Sequence, residues 1–220
     1  MTRKILIIED TPTIARVQKH IALKAGYDVD IAESLAQAKE LLSSNAYFCA
    51  VVDFILPDAP TGEAVPCTIA AEIPTIVMTG NIDQQTRDTV EKYPIIDYIT
   101  KENKQAYQYL EKQLLRLPRN ENVKVLVVDD STSTRRYICS LLARHKYQTI
   151  EAKDGVEALK MLEASPDITV IITDNEMPNM NGDELCTQIR SLYSNDEKAI
   201  IGISGADSSA LSSLFLKNGA

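Results

Sequence analysis

The stretch KILIIED at residues 4–10 decides the fold, because it recurs 120 residues later as KVLVVDD at residues 124–130. Each copy is a continuous apolar run, which is typical of a strand buried on both faces, and each ends on two adjacent carboxylates. A second apolar strand ends 43 to 44 residues further on at a single aspartate, Asp53 or Asp174. Carboxylates at the ends of buried strands are costly unless they hold a cation or do chemistry. The chain therefore carries a duplicated acidic site.

The repeat divides the 220 residues into two domains. We expect a first domain over residues 1–117, a linker over 118–122 and a second domain over 123–220. The net charge of -8 is shared evenly, with 12 basic and 16 acidic residues in the first 117 and 11 and 15 in the remainder. Neither half has the basic excess of a nucleic-acid-binding face, so we expect no direct nucleic-acid binding.

Features of the whole chain favour a cytoplasmic protein. No apolar run approaches the ~20 residues of a membrane span, and Met1 leads into the first strand without a signal peptide. The cysteines show no metal-ligand spacing and are expected to be reduced, buried thiols. They are Cys49, Cys67, Cys139 and Cys186.

Strand and helix patterns alternate along both halves, which predicts α/β domains with doubly wound parallel sheets. The first half shows five strands, at 5–8, 27–32, 48–52, 75–79 and 95–100, and five helices, at 11–24, 34–42, 63–71, 83–92 and 103–117. The second half shows four strands, at 124–128, 147–151, 168–173 and 199–204, and four helices, at 132–145, 154–164, 182–193 and 207–217.

The acidic residues of each half are expected to meet where the strand order of such a sheet reverses, beyond the ends of its first and third strands. Clustered carboxylates repel one another and need a cation, and hard, oxygen-preferring Mg²⁺ fits this donor set best. The two predicted clusters are Glu9, Asp10 and Asp53 in the first half and Asp129, Asp130 and Asp174 in the second.

Further polar residues complete the predicted site. The fourth strand of each half ends on a hydroxyl, at Thr79 or Ser204, and the fifth strand of the first half is followed by Lys101. A metal, a hydroxyl and an ammonium around one aspartate neutralise a phosphoryl group, which predicts Asp53 and Asp174 as nucleophiles. Lys101 also fits a solvated strand end.

Both halves resemble the receiver domain of two-component response regulators. The residues that carry the resemblance are Glu9, Asp10, Asp53, Pro57, Gly62, Thr79, Tyr98 and Lys101, and then Asp129, Asp130, Asp174, Pro178, Gly182 and Ser204. The resemblance implies flavodoxin-like (βα)5 domains that take a phosphoryl group on Asp53 and Asp174 with Mg²⁺ bound. It also implies that the backbone carbonyls of Ile55 and Glu176 are metal ligands.

The resemblance further implies the partners and the switch. A histidine kinase or a phosphotransfer protein would donate the phosphoryl group, the Thr79 or Ser204 hydroxyl would move toward it, and the Tyr98 ring would turn inward. Tyr98 also fits plain packing. We expect a homodimer that controls an output domain beyond the carboxyl end, such as a diguanylate cyclase, and no catalysis by the receivers beyond self-dephosphorylation.

The second half departs from the pattern of the first. The counterpart of Lys101 would fall near position 226, past Ala220, so we expect a second domain truncated after its fourth helix, without the fifth strand and last helix. In the first half Glu102 follows Lys101 where the family usually has proline. Two alternatives stay open: the second half is an unphosphorylated adaptor with a dimer surface, or the chain is an aspartate-nucleophile phosphatase.

Overall fold

The computed structural model describes residues 3–80 and 84–203, which divide into two compact units after Leu117. Ser204 and the helix expected at 207–217 lie outside the described residues. Among the described residues, no helix combines the length and the apolar character that crossing a bilayer requires.

The first unit is a five-stranded parallel sheet with helices on both faces. Its strands are β1 (Lys4–Ile8), β2 (Asp28–Ala32), β3 (Cys49–Asp53), β4 (Thr75–Thr79) and β5 (Asp97–Thr100), and its helices are α1 (Pro12–Lys24), α2 (Leu35–Ser44), α3 (Ala64–Ala70), α4 (Gln84–Val90) and α5 (Lys104–Asn120). The strand order is β2-β1-β3-β4-β5, so the order reverses between β1 and β3.

Two apolar cores hold the sheet of the first unit in place, because successive side chains of a strand point to opposite faces. Leu6 and Ile8 pack with α2 and α3 on one face, whereas Ile5 and Ile7 pack with α1 and α5 on the other. Every residue of β3 and β4 is buried. The strand end that carries Asp53 therefore belongs to a fully buried strand at the centre of the sheet.

The second unit repeats the architecture with four strands in the described residues. Its elements are β6 (Lys124–Val128), α6 (Thr132–Arg144), β7 (Gln148–Ala152), α7 (Gly155–Ala164), β8 (Ile168–Asp174), α8 (Gly182–Leu192) and β9 (Ala199–Ile203), and the strand order is β7-β6-β8-β9. One core lies between the sheet and helices α7 and α8. These two parallel-sheet units, the second with the smaller sheet, confirm the predicted fold class.

Helix α5 continues through Asn120, into the segment 118–122 that the sequence predicts as a linker. Pro118 lies inside this helix and has no N–H for the carbonyl of Leu114, four residues earlier. The Tyr27 hydroxyl donates to that carbonyl at 2.7 Å instead. The carbonyl therefore keeps a partner, which explains how the helix tolerates a proline that the sequence reads as a stop.

Candidate functional site

Three carboxylates of the first unit meet at the point where the strand order reverses. Glu9 follows β1 and Asp53 ends β3, and these strands pair in register up to Ile8 and Val52. Glu9, Asp10 and Asp53 each place a carboxylate oxygen within 4.8 Å of the others. Glu9 is fully buried and Asp53 is 7% exposed, so bulk water solvates neither carboxylate well. The predicted cluster thus forms.

Lys101 neutralises the two buried members of this cluster. Its Nζ donates to Glu9 Oε2 and to Asp53 Oδ2, both at 2.6 Å. The pairing of β5 with β4 positions the lysine, whose backbone N–H donates to the Thr79 carbonyl at 2.8 Å. Burial raises the pKa of the Glu9 carboxyl, and the ammonium opposes that rise. A single cation therefore holds together two charges that would otherwise repel.

The hydroxyl and the aromatic residue lie at the ends of the neighbouring strands. Thr79 is buried at the end of β4. Tyr98 is half-buried on β5, and its hydroxyl accepts a hydrogen bond from Arg87 Nε at 3.1 Å. The Arg87 guanidinium carbon lies 6.0 Å from the ring centroid, within the range of a cation–π contact. The sequence singled out Tyr98 but not Arg87, which contacts the ring from α4.

The donor set fits a hard divalent cation, because Mg²⁺ prefers carboxylate and carbonyl oxygens. Glu9, Asp10 and Asp53 supply the carboxylates. Ile55 is 52% exposed, and its backbone N–H donates to Asp53 Oδ1 at 3.3 Å, which places its peptide unit beside the cluster. The first acidic cluster could therefore hold a metal ion.

The second acidic triplet is more open. Asp129 is 5% exposed and accepts a hydrogen bond from the Ser131 backbone at 2.7 Å, whereas Asp130 and Glu176 are exposed. Within residues 3–80 and 84–203, only the first triplet brings three carboxylate oxygens within 4.8 Å of one another. Asp174 has no ammonium or guanidinium within 4.0 Å among those residues.

The electrostatics of Asp174 differ accordingly from those of Asp53. Burial raises the pKa of the Asp174 carboxyl, and the charges of Asp129 and Asp130 raise it further. The hydroxyl predicted from strand four, Ser204, lies outside the described residues.

Comparison with known families decides the assignment. The model of the response regulator receiver domain matches residues 5–111 and again residues 125–220. The chain belongs to this family. It resembles the chemotaxis protein CheY1 of Helicobacter pylori at 49% identity over 70 residues, 31% of this chain, and a CheY homolog of Campylobacter jejuni at 42% over 80 residues, 36% of this chain. The matches span 56% and 62% of the length of those two relatives.

Solved structures match both receivers of the chain. Two structures of two-component system response regulator/GGDEF domain proteins superpose with TM-scores of 0.87 and 0.86 at 36% identity. In both cases the match covers 100% of this chain and 89% of the other. The tandem receiver organisation therefore has counterparts of known structure.

Gln18 is a residue of the first receiver site that sequence reasoning missed. It is 1% exposed on α1, and its Nε2 donates to Glu9 Oε2 at 3.2 Å. The backbone N–H of Thr11 donates to the other oxygen of Glu9, also at 3.2 Å. The sequence signal that could have pointed to Gln18 is its position between Ala15 and Ala22 on the buried side of α1.

The loop that follows the predicted phosphoacceptor is tied to a neighbouring helix in each receiver. In the first, Asp58 Oδ1 and Oδ2 accept the N–H groups of Leu35 and Ala36 at 2.9 and 3.0 Å, and these two donors hold the pKa of Asp58 below its usual range. In the second, Asn179 donates to Asp154 Oδ2 at 2.7 Å. Asp154 caps α7 just as Asp58 supports the start of α2.

Proposed function

We propose that the first receiver accepts a phosphoryl group on Asp53 from the phosphohistidine of a histidine kinase or of a phosphotransfer protein. An Asp53 carboxylate oxygen forms the new bond to phosphorus as the bond from phosphorus to the histidine nitrogen breaks. The observation that carries the proposal is the contact of Lys101 with both Glu9 and Asp53 at 2.6 Å. An ammonium already on the acceptor carboxylate is placed to bind the charge that arrives with a phosphoryl group.

A magnesium ion is part of this proposal. Glu9, Asp10, Asp53 and the backbone carbonyl of Ile55 are the residues that would hold it, and their oxygens suit it. When bound, the ion supplies positive charge that neutralises the phosphoryl oxygens. Lys101 supplies a second positive charge from the carboxyl end of β5.

The switch proposed for the first receiver uses Thr79 and Tyr98. The buried hydroxyl of Thr79 would donate to the phosphoryl group, and the ring of Tyr98 would then turn inward. That turn requires the hydrogen bond from Arg87 to break, since the bond holds the Tyr98 hydroxyl at an exposed guanidinium. Phosphorylation would thereby shift the population between two states of the β5 face.

The second receiver is proposed as a weaker acceptor. Asp174 would take the phosphoryl group, with Asp129, Asp130 and the Glu176 carbonyl as metal ligands and Ser204 as the hydroxyl donor. The alternative, an unphosphorylated adaptor that supplies a dimer surface, gains support from the open triplet, since its three carboxylates do not come within 4.8 Å of one another in the described residues.

The protein as a whole is proposed to act as a cytoplasmic homodimer that controls an output domain. The similarity to response regulator/GGDEF domain proteins favours a diguanylate cyclase as the output. The receivers themselves would catalyse no reaction on other substrates. Steady hydrolysis of unrelated phosphoesters would support the phosphatase alternative instead.

Phosphoryl labelling tests the acceptor. The protein is incubated with Mg²⁺ and a small acyl phosphate donor, and the labelled peptide is identified by mass spectrometry. Label on the first receiver is expected to disappear in Asp53→Asn and to persist in the matched control Asp28→Asn, an exposed strand aspartate of the same unit. Undiminished label on the first receiver in Asp53→Asn would contradict the proposal.

A further inference from the structure

Gln18 is a buried glutamine of α1 whose side-chain amide is only partly hydrogen-bonded. Its Nε2 lies 3.2 Å from Glu9 Oε2 and 3.4 Å from Met78 Sδ. Its Oε1 is also buried and has no hydrogen-bond partner. An unpaired buried amide oxygen is destabilising. An apolar residue would therefore serve the packing of α1 better, and the glutamine needs another explanation.

The contact with Glu9 settles the orientation of this amide. A carboxylate oxygen only accepts hydrogen bonds, so the side of the amide that faces Glu9 is the NH₂ group. Oε2 of Glu9 thus has two donors, Gln18 and Lys101, and Oε1 has the Thr11 backbone. Gln18 reaches Glu9 from helix α1, whereas Lys101 reaches it from the end of β5.

The second receiver lacks this donor. Gln18 lies nine residues after Glu9, and nine residues after Asp129 the chain has Ile138, a half-buried residue of α6. The receiver with a glutamate, Glu9, therefore has a glutamine at the later position, and the receiver with an aspartate, Asp129, has an isoleucine there. Glutamate has one more rotatable bond than aspartate, so an additional donor is needed to fix its carboxylate.

We propose that Gln18 is a positioning residue for the metal site of the first receiver. It holds the Glu9 carboxylate in the orientation that a divalent cation needs, independently of Lys101. This inference rests on the proposed function, because Lys101 would turn from Glu9 toward the phosphoryl group. Gln18 would then remain as the side-chain donor that keeps Glu9 in place.

Calorimetric titration with Mg²⁺ tests the role of Gln18 in the whole chain. All variants carry Asp129→Asn and Asp174→Asn, so that the titration reports the first receiver alone. Gln18→Ile introduces the residue of the second receiver, and we expect about tenfold weaker Mg²⁺ binding, the usual scale for a residue that orients a metal ligand. The thermal unfolding midpoint is expected to stay equal or to rise, because the unpaired oxygen is removed.

Gln113→Ile is the matched control, since Gln113 is the other buried glutamine among the described residues of this unit and donates to Asp97, away from the site. It should leave the Mg²⁺ affinity unchanged. A second test repeats Gln18→Ile in a Glu9→Asp background, where the shorter side chain no longer depends on the amide. There the loss is expected to fall below about twofold.

Three outcomes would overturn the inference. Equal Mg²⁺ affinity of Gln18→Ile and its parent, with Asp53-dependent labelling intact, would sink the positioning role and leave the proposed function standing. Equal losses in the Glu9 and Glu9→Asp backgrounds would show that Gln18 does not act through Glu9. A parent protein that binds no Mg²⁺ and takes no label would remove the proposed function and this inference together.

Discussion

The two receivers carry the same acidic triplet in different electrostatic surroundings. In the first, Lys101 contacts two carboxylates and the three acidic residues lie close together. In the second, within the part of the chain that the structure describes, Asp174 has no cationic partner, and its pKa is raised by burial and by neighbouring carboxylates. The difference teaches that acidic strand ends alone do not form a close cluster of carboxylates. A cation from a strand remote in sequence draws them together.

Among the variants considered, Lys101→Met should cause the largest change in the stability of a receiver. It leaves Glu9 and Asp53 buried beside each other without a counter-charge, so we expect the first unit to lose ~3–5 kcal/mol of stability at pH 7. Residue-resolved hydrogen exchange of the β1 and β3 amides measures this in the intact protein. Added Mg²⁺ should restore part of the loss.

Lys198→Met provides the control in the second unit. Lys198 is also buried, but its Nζ donates to the neutral carbonyl oxygens of Pro166 and Ile168. Its removal leaves no repelling charges, so the loss should be smaller, ~1–3 kcal/mol, and insensitive to Mg²⁺. Equal losses in the two variants would show that carboxylate repulsion does not govern the first site.

Neutralising Asp53 and Asp174, the proposed acceptors, should shift stability in opposite directions. Asp53→Asn removes a partner of Lys101 and should destabilise its unit by ~1–2 kcal/mol. Asp174→Asn relieves the repulsion from Asp129 and Asp130 and should stabilise its unit by ~0.5–1 kcal/mol at pH 7. Hydrogen exchange in each unit measures the two stability changes. Changes of the same sign would contradict the difference between the two sites.

The pH dependence of the Asp174→Asn effect follows from the raised pKa. A carboxyl with a raised folded-state pKa destabilises the fold only when it is ionised, so its cost appears as the pH rises through that pKa. The stabilisation by asparagine should therefore vanish below about pH 3.8, the ordinary value for aspartate. A gain that stays constant across this range would point to packing instead of charge.

Asp58→Ala tests whether the two loop contacts are equivalent. Asp58 accepts directly from the first turn of α2, so its loss should speed hydrogen exchange of the Leu35 and Ala36 amides by about fivefold. Asn179→Gly removes only a donor to Asp154, which still caps α7, and glycine tolerates the positive φ of 66° at that position. We expect little change there. Comparable changes at both helices would make the contacts equivalent.

Arg87→Ala should have the smallest effect, confined to Tyr98. Loss of the hydrogen bond and of the cation–π contact should lower the population of the present ring rotamer about two- to fivefold, without unfolding the unit. Couplings of ¹³C-labelled tyrosine measure the rotamer. Arg87→Lys keeps the charge but lacks the planar donor. Its population of the present Tyr98 rotamer should lie between those of the wild type and Arg87→Ala. An unchanged rotamer in Arg87→Ala would remove Arg87 from the proposed switch.

The sequence predicted the features that local pattern and repetition encode. The apolar run before Glu9 predicted β1, and its repeat predicted β6, because a buried strand needs a continuous apolar stretch. The position of Lys101 directly after the predicted fifth strand placed it in the site, and the resemblance included the same residue. The helical course of Pro118 escaped prediction because it depends on a hydroxyl 91 residues away in the chain, at Tyr27.

Two side-chain pairs between separate elements escaped prediction for the same reason. Gln18 interrupts the apolar side of α1, and only the folded structure shows Glu9 beside it. Arg87 meets Tyr98 across two elements whose contact no local pattern encodes. Such pairs are set by the relative placement of packed elements, whereas strands and helices follow from residues close in sequence.

The two hydrogen bonds between Asp58 and α2 restrict the length of the loop that follows β3. Surface loops ordinarily accept inserted residues, and the segment after β3 would look suitable for an insertion. Each added residue could move Asp58 by up to ~3.5 Å, which exceeds the tolerance of bonds 2.9 and 3.0 Å long. Five positions separate Asp53 from Asp58, and five separate Asp174 from Asn179. Libraries of insertions should therefore avoid this loop in both receivers, although Asp58 and Asn179 are exposed.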